Sequence, residues 1–151
     1  MQPAILEGDS ETEETAKWLS ARIREIEQTI KTLPSCAIFV PDELHVLPVT
    51  EGLNRLLEGA NIRVKACPNG EVIGRETEVR VFAIEHIKGL EFESAFFVGL
   101  DVLAENEPDL FDKYLYVGST RAATYLGLTC EQQLPERLAT LRDRFVGQWR
   151  S

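Results

Sequence analysis

Short, unbroken apolar runs alternate along this chain with stretches in which apolar residues recur every three or four positions. Pro3 to Glu7 is a short strand candidate. Ser10 opens a helix, with Glu13 three residues on completing a capping-box pattern. Ala16, Leu19, Ile23, Ile26, Ile30 and Leu33 then follow at helical spacing until Pro34 closes the element. Cys36 to Val40 is wholly apolar, as a strand buried on both faces is. A second helix is predicted from near Pro48 to Glu58, with Leu53, Leu56, Leu57 and Ala60 on one face and Gly59 as its stop. Ile62 to Cys67 is the next strand, and Pro68-Asn69-Gly70 with Gly74 marks a turn-rich link.

The second half repeats the alternation. Val79 to Ile84 and Ser94 to Leu100 read as strands with a turn from Lys88 to Glu91 between them. Pro108 to Ala123 reads as a helix and Tyr125 to Thr129 as a strand. Leu134, Leu138, Leu141, Phe145 and Trp149 form the stripe of a final amphipathic helix from Leu134 to Trp149. Strands alternating with helices of this length predict one α/β domain over residues 1–151, with a mostly parallel sheet and helices on both faces.

Composition narrows the function. The chain has 151 residues, 44% of them hydrophobic and 27% charged, with a net charge of −9. That surplus of acid argues against an autonomous nucleic-acid binder, because phosphate neutralisation supplies most non-specific affinity. No apolar run reaches membrane-spanning length and none resembles a signal peptide. Cys36, Cys67 and Cys130 are far apart and form no framework, which points to a reducing compartment and a cytoplasmic location. Neither His45 nor His86 has a neighbouring Cys or His, so no metal site is predicted.

Two segments carry candidate chemistry. In His86-Ile87-Lys88-Gly89-Leu90-Glu91-Phe92, Gly89 lets backbone amides approach a ligand. Glu91 can accept hydrogen bonds from ribose hydroxyls, and Lys88 can reach a phosphate. In Tyr116-Val117-Gly118-Ser119-Thr120-Arg121-Ala122-Ala123, the guanidinium of Arg121 offers planar, bidentate phosphate recognition, with Thr120 beside it. Taken singly, the first is better explained by an ordinary turn. The second is better explained by a cation at a helix carboxyl end.

Taken together and in this order, the two segments resemble motifs V and VI of the UvrD/Rep-type superfamily 1 DNA helicases, in their second RecA-like motor domain. The resemblance implies a RecA-like three-layer sandwich. It implies that Glu91, with Gly89 and Lys88, contacts bound nucleotide and that Arg121, with Thr120, contacts its γ-phosphate. The same resemblance implies ATP and Mg2+ in an assembled parent enzyme, an N-terminal RecA-like partner domain carrying the phosphate loop, and single-stranded DNA as the track. No GxxxxGK[ST] loop occurs in the chain, so 151 residues alone are predicted to be inactive.

Departures from the family are informative. Ala83 and Glu85 stand where members often carry Thr and His facing the DNA backbone, and Glu85 would repel phosphate. Larger members insert a helical subdomain where only the loop 68–78 is found. Glu91 and Arg121 are expected on one exposed surface at the carboxyl edge of the sheet. The leading reading is the C-terminal motor domain of an ATP-dependent DNA helicase or translocase. The alternative is a stand-alone, non-catalytic helicase-like domain used for protein or nucleotide binding.

Overall fold

Parallel strands dominate the computed structural model of the chain, which describes residues 4–8, 12–75, 77–87, 90–106, 108–109, 122–132, 135, 143 and 145–149. In chain order the elements are β1 (Ala4–Leu6), α1 (Thr12–Ile30), β2 (Cys36–Val40), α2 (Glu43–Leu57), β3 (Val64–Ala66), β4 (Val79–Ala83), β5 (Phe92–Phe97), α3 (Leu100–Asn106) and β6 (Ala122–Thr129). The sheet order is β1-β6-β5-β2-β4-β3, and every pairing among the described residues is parallel. Helices α1 and α2 cover one face, burying Ala16, Leu19, Ile23, Val49 and Leu53 against Ile38, Val81 and Phe96. The other face is covered by Ile84, Ile87 and α3, packed on Phe39, Phe82, Phe92 and Phe97. This is the three-layer α/β sandwich expected of a RecA-like domain. Among the described residues no helix is long and apolar enough to cross a membrane.

The apolar runs became strands because a central parallel strand buries both faces. All five residues of β2 are buried. Burial also pushes the Cys36 thiol up to about 12, against a smaller lowering by its hydrogen bond with Ser94, so it stays protonated and acts as a small hydrophobe.

Several element limits differ from the sequence reading. Helix α1 stops at Ile30, because Lys31 turns left-handed (φ 68°) and donates its N–H to the Glu27 carbonyl at 2.8 Å. Leu33 still packs on the core from beyond the helix. Helix α2 begins at Glu43, five residues before Pro48. The Asp42 carboxylate caps it, accepting the His45 N–H at 3.2 Å. Pro48 lies inside, on an exposed position, where its ring costs one helical hydrogen bond. Strand β5 ends at Phe97, and Leu100 opens α3 beyond a turn at Gly99 (φ 66°). The helix expected from Pro108 to Ala123 cannot reach its end, since β6 starts at Ala122. Residues 110–121 lie outside the described residues.

The largest departure is at the carboxyl end. Residues 145–149 are not helical. The Val146 carbonyl accepts the Ile5 N–H at 2.8 Å, and Val146 bridges Ala4 in parallel, extending the sheet beyond β1. Phe145 packs on one core and Trp149 on the other, which two residues of one helical stripe could not do. Leu134, Leu138 and Leu141 lie outside the described residues.

Gly127 in β6 has no room for a side chain. A Cβ there would sit 2.3 Å from Cδ1 of Phe96, whose ring is buried in the core. Gly127→Ala is therefore expected to destabilise the domain by about 3 kcal/mol through overpacking, read from a chemical unfolding midpoint. An unchanged midpoint would mean that Phe96 moves aside at no cost.

Candidate functional site

The crossover from β4 to β5 carries the first candidate segment. Strand β2 lies between these two strands, so the chain must travel from the carboxyl edge of the sheet back to its amino edge in residues 84–91. Ile84 and Ile87 are buried and pin this crossover over the Phe39, Phe82 and Phe92 rings. The Leu90 N–H closes its end on the Ile87 carbonyl at 3.2 Å. Glu91 is exposed and immediately precedes β5.

That position corrects one expectation. Glu91 stands at the amino edge of the sheet, because a residue just before a parallel strand lies at the strand's start. Phe92, the next residue, pairs with Ala122 of β6. Arg121, Thr120, Gly89 and Lys88 lie outside the described residues.

The carboxyl edge is built differently. Val40 pairs with Ala83 and Ala66 with Val81, so the segments that leave β2, β4 and β3 emerge side by side. Pro41-Asp42-Glu43, Ile84-Glu85-His86 and Pro68-Asn69-Gly70 thus meet. His86 Nε2 lies 3.0 Å from Glu43 Oε1 and 3.5 Å from Glu85 Oε1. The Asn69 N–H donates to Glu43 Oε1 at 3.1 Å. A side chain on Gly70 (φ 79°) would collide with the His86 ring, the built Cβ falling 2.8 Å from Nδ1. Beside this group, His45 Nδ1 sits 2.6 Å from Asp42 Oδ1.

Sequence reasoning missed this carboxyl-edge group. His86 was visible as the start of the first segment, but Glu43 is separated from it by 43 positions and only the pairing of β2 with β4 joins them.

A sheet of parallel strands with helices on both faces, crossed by a link that the buried Ile84 and Ile87 hold down and that delivers an acid to one edge, has the architecture of a RecA-like α/β domain. The profile of the UvrD-like helicase C-terminal domain family matches residues 78–129, the span from β4 through β6 that contains both candidate segments. Over that span the chain is similar to the UvrD-like helicase C-terminal domain. A similar solved structure is the C-terminal domain of a possible DNA helicase from Lactobacillus plantarum WCFS1, at 14% identity and a TM-score of 0.64. The match covers 96% of this chain and 83% of that one, and at this identity it speaks for the fold alone. No curated protein matches the chain.

The nucleotide that such a family implies fits the two edges unequally. Open α/β sheets usually bind ligands beyond the carboxyl ends of the strands. Here the α2 N-terminus, which could hold an anion, is occupied by its own Asp42 cap and by Glu43 in its first turn. The crevice between β2 and β5 is equally occupied: a Cβ on Gly99 would lie 3.1 Å from Pro41 Cγ. No phosphate cradle is present on that edge among the described residues. The exposed carboxylate of Glu91 at the amino edge is chemically suited to ribose hydroxyls.

Proposed function

We propose that this chain is the second motor domain of an ATP-dependent DNA helicase or translocase, supplying half of a nucleotide site to a partner domain that carries the phosphate loop. The observation that carries the reading is the pairing of Phe92 with Ala122. Glu91 and Arg121 each directly precede one of these partners in the sequence, and neighbouring strands run only about 4.8 Å apart. That register favours an acid and an arginine acting together at one sheet edge.

In this reading Glu91 accepts hydrogen bonds from the ribose, and Gly89 lets the backbone approach. Lys88 and Thr120 add weaker phosphate contacts. Arg121 holds the terminal phosphate in bidentate fashion and meets the charge that develops there. ATP with Mg2+ supplies the free energy for the cleft to close and open around single-stranded DNA, in the cytoplasm and away from membranes. In this reading the loop 68–78, exposed at most of its described positions, takes the place of the subdomain that larger family members insert.

A steady-state assay with single-stranded DNA tests the reading. The isolated chain is expected to show no ATP turnover, because half of a composite site can neither orient the attacking water nor hold magnesium. An assembly that adds the phosphate-loop domain is expected to turn over. Robust turnover by the isolated chain would overturn the half-site argument. Acidic groups at the carboxyl edge favour a second reading, a non-catalytic module for protein or nucleotide binding, and an inert two-domain assembly would establish it.

A further inference from the structure

We propose that Glu43, Glu85 and His86 form a binding site for a divalent transition-metal cation at the carboxyl edge of the sheet. The inference does not depend on the helicase reading. One ligand atom from each of the three side chains lies within 4.8 Å of the other two.

The two separations from His86 suit a coordination sphere, and the third lies within 4.8 Å. Zinc-like ions sit about 2.0–2.2 Å from imidazole nitrogen and carboxylate oxygen, which places neighbouring ligands about 3.0–3.4 Å apart. The separations of 3.0 Å and 3.5 Å from His86 Nε2 to the two carboxylates bracket that range. A cation entering here replaces the hydrogen that Nε2 shares with Glu43 and needs only small shifts of the ligands. Three protein ligands leave the remaining positions to water.

Charge points the same way. Two carboxylates converge on one imidazole, and among the described residues neither is paired with a lysine or an arginine. Without a cation they repel each other across a gap open to solvent on one side, the His86, Glu43 and Glu85 side chains being 27%, 35% and 59% exposed. A divalent ion removes that repulsion.

The ligands are also held in place before any ion arrives. His86 is wedged against the bare backbone of Gly70, and the Asn69 N–H fixes the Glu43 carboxylate. Glu43 is further anchored by the first turn of α2, and Glu85 by the turn that follows β4. The imidazole selects Zn2+, Co2+ or Ni2+ over the oxygen-seeking Mg2+ and Ca2+. Sequence spacing hides this site, since its ligands come from two separated strand ends.

Titration of the untagged, chelator-stripped chain with Co2+, followed by visible absorption, tests the site, with Zn2+ competition and thermal unfolding as second readouts. Binding of one ion per chain is expected, with ligand-field bands, no thiolate charge-transfer band and a rise in Tm. His86→Ala, Glu43→Gln and Glu85→Gln should each weaken binding at least ~10-fold, the range in which even outer-shell changes act. Because Glu85 is exposed, Glu85→Gln keeps the test decisive even if the other two variants fold poorly. His45→Ala should bind as the unaltered chain does. Absence of one-to-one binding, a thiolate band, or undiminished affinity in Glu85→Gln would overturn the proposal.

Discussion

Arg121→Ala, made in a parent protein that joins this domain to its phosphate-loop partner, is expected to lower DNA-stimulated ATP turnover by about 10³-fold or more. In the proposed site this guanidinium meets charge that appears as the terminal phosphoryl group transfers. Its loss therefore falls on the transition state more than on ground-state binding. The prediction is a drop in kcat with little change in the unfolding midpoint of the domain. Arg121→Lys should recover only a small part of the rate, because an ammonium is a point charge and cannot make the planar two-point contact. Near-normal turnover in Arg121→Ala would remove the arginine from the site and leave the binding-module reading in possession. A stopped-flow or steady-state phosphate-release assay on the matched pair of proteins reads the difference directly.

Glu25→Ala is expected to destabilise the chain by about 3–5 kcal/mol, the usual cost of stripping one partner from a buried ion pair. Arg22 Nε lies 2.5 Å from Glu25 Oε1, with the two side chains only 8% and 10% exposed. The same carboxylate accepts the Trp149 N–H at 3.2 Å, and Arg22 Nη1 donates to the Gly147 carbonyl. Trp18 joins the group twice: its ring lies 5.3 Å from the Arg22 guanidinium, and its Nε1–H donates to Gly147. One carboxylate on α1 therefore neutralises a buried cation and anchors the last described residues of the chain. Its removal leaves the guanidinium uncompensated and the Trp149 amide without this acceptor. Replacing the pair together, as Arg22→Met with Glu25→Leu, should recover much of the loss, because both desolvation costs disappear at once. Urea unfolding of the single and double variants checks both statements. A loss below about 1 kcal/mol in Glu25→Ala would mean that the pair behaves as an exposed one.

The sequence by itself determined the layer architecture and the strand-forming segments. Cys36–Val40 is an unbroken apolar run, and Val79–Ala83 is one interrupted only by the half-buried Arg80, because both faces of a central parallel strand are covered, and such burial leaves its mark on composition alone. It also determined where the helicase-like similarity lies, since residues 78–129, the span that matches the family, contain both candidate segments. Pro48 suggested a helix start, yet the Asp42 cap began α2 earlier and the proline was accommodated at an exposed position.

Tertiary structure decided what spacing could not. Apolar residues at helical intervals near the carboxyl end were compatible with a helix. Backbone pairing with Ile5 and donors from Trp18 and Arg22 drew residues 145–149 into a bent, non-helical path instead. Strand order decided which edge each loop reaches. With β2 lying between β4 and β5, the link after His86 has to cross the sheet, and Glu91 arrives at the amino edge. The same order brought Glu43 to His86. Periodicity along a chain reports only how residues are spaced on their own element. Which backbone groups, charges and rings they meet depends on elements brought alongside from far away in the sequence.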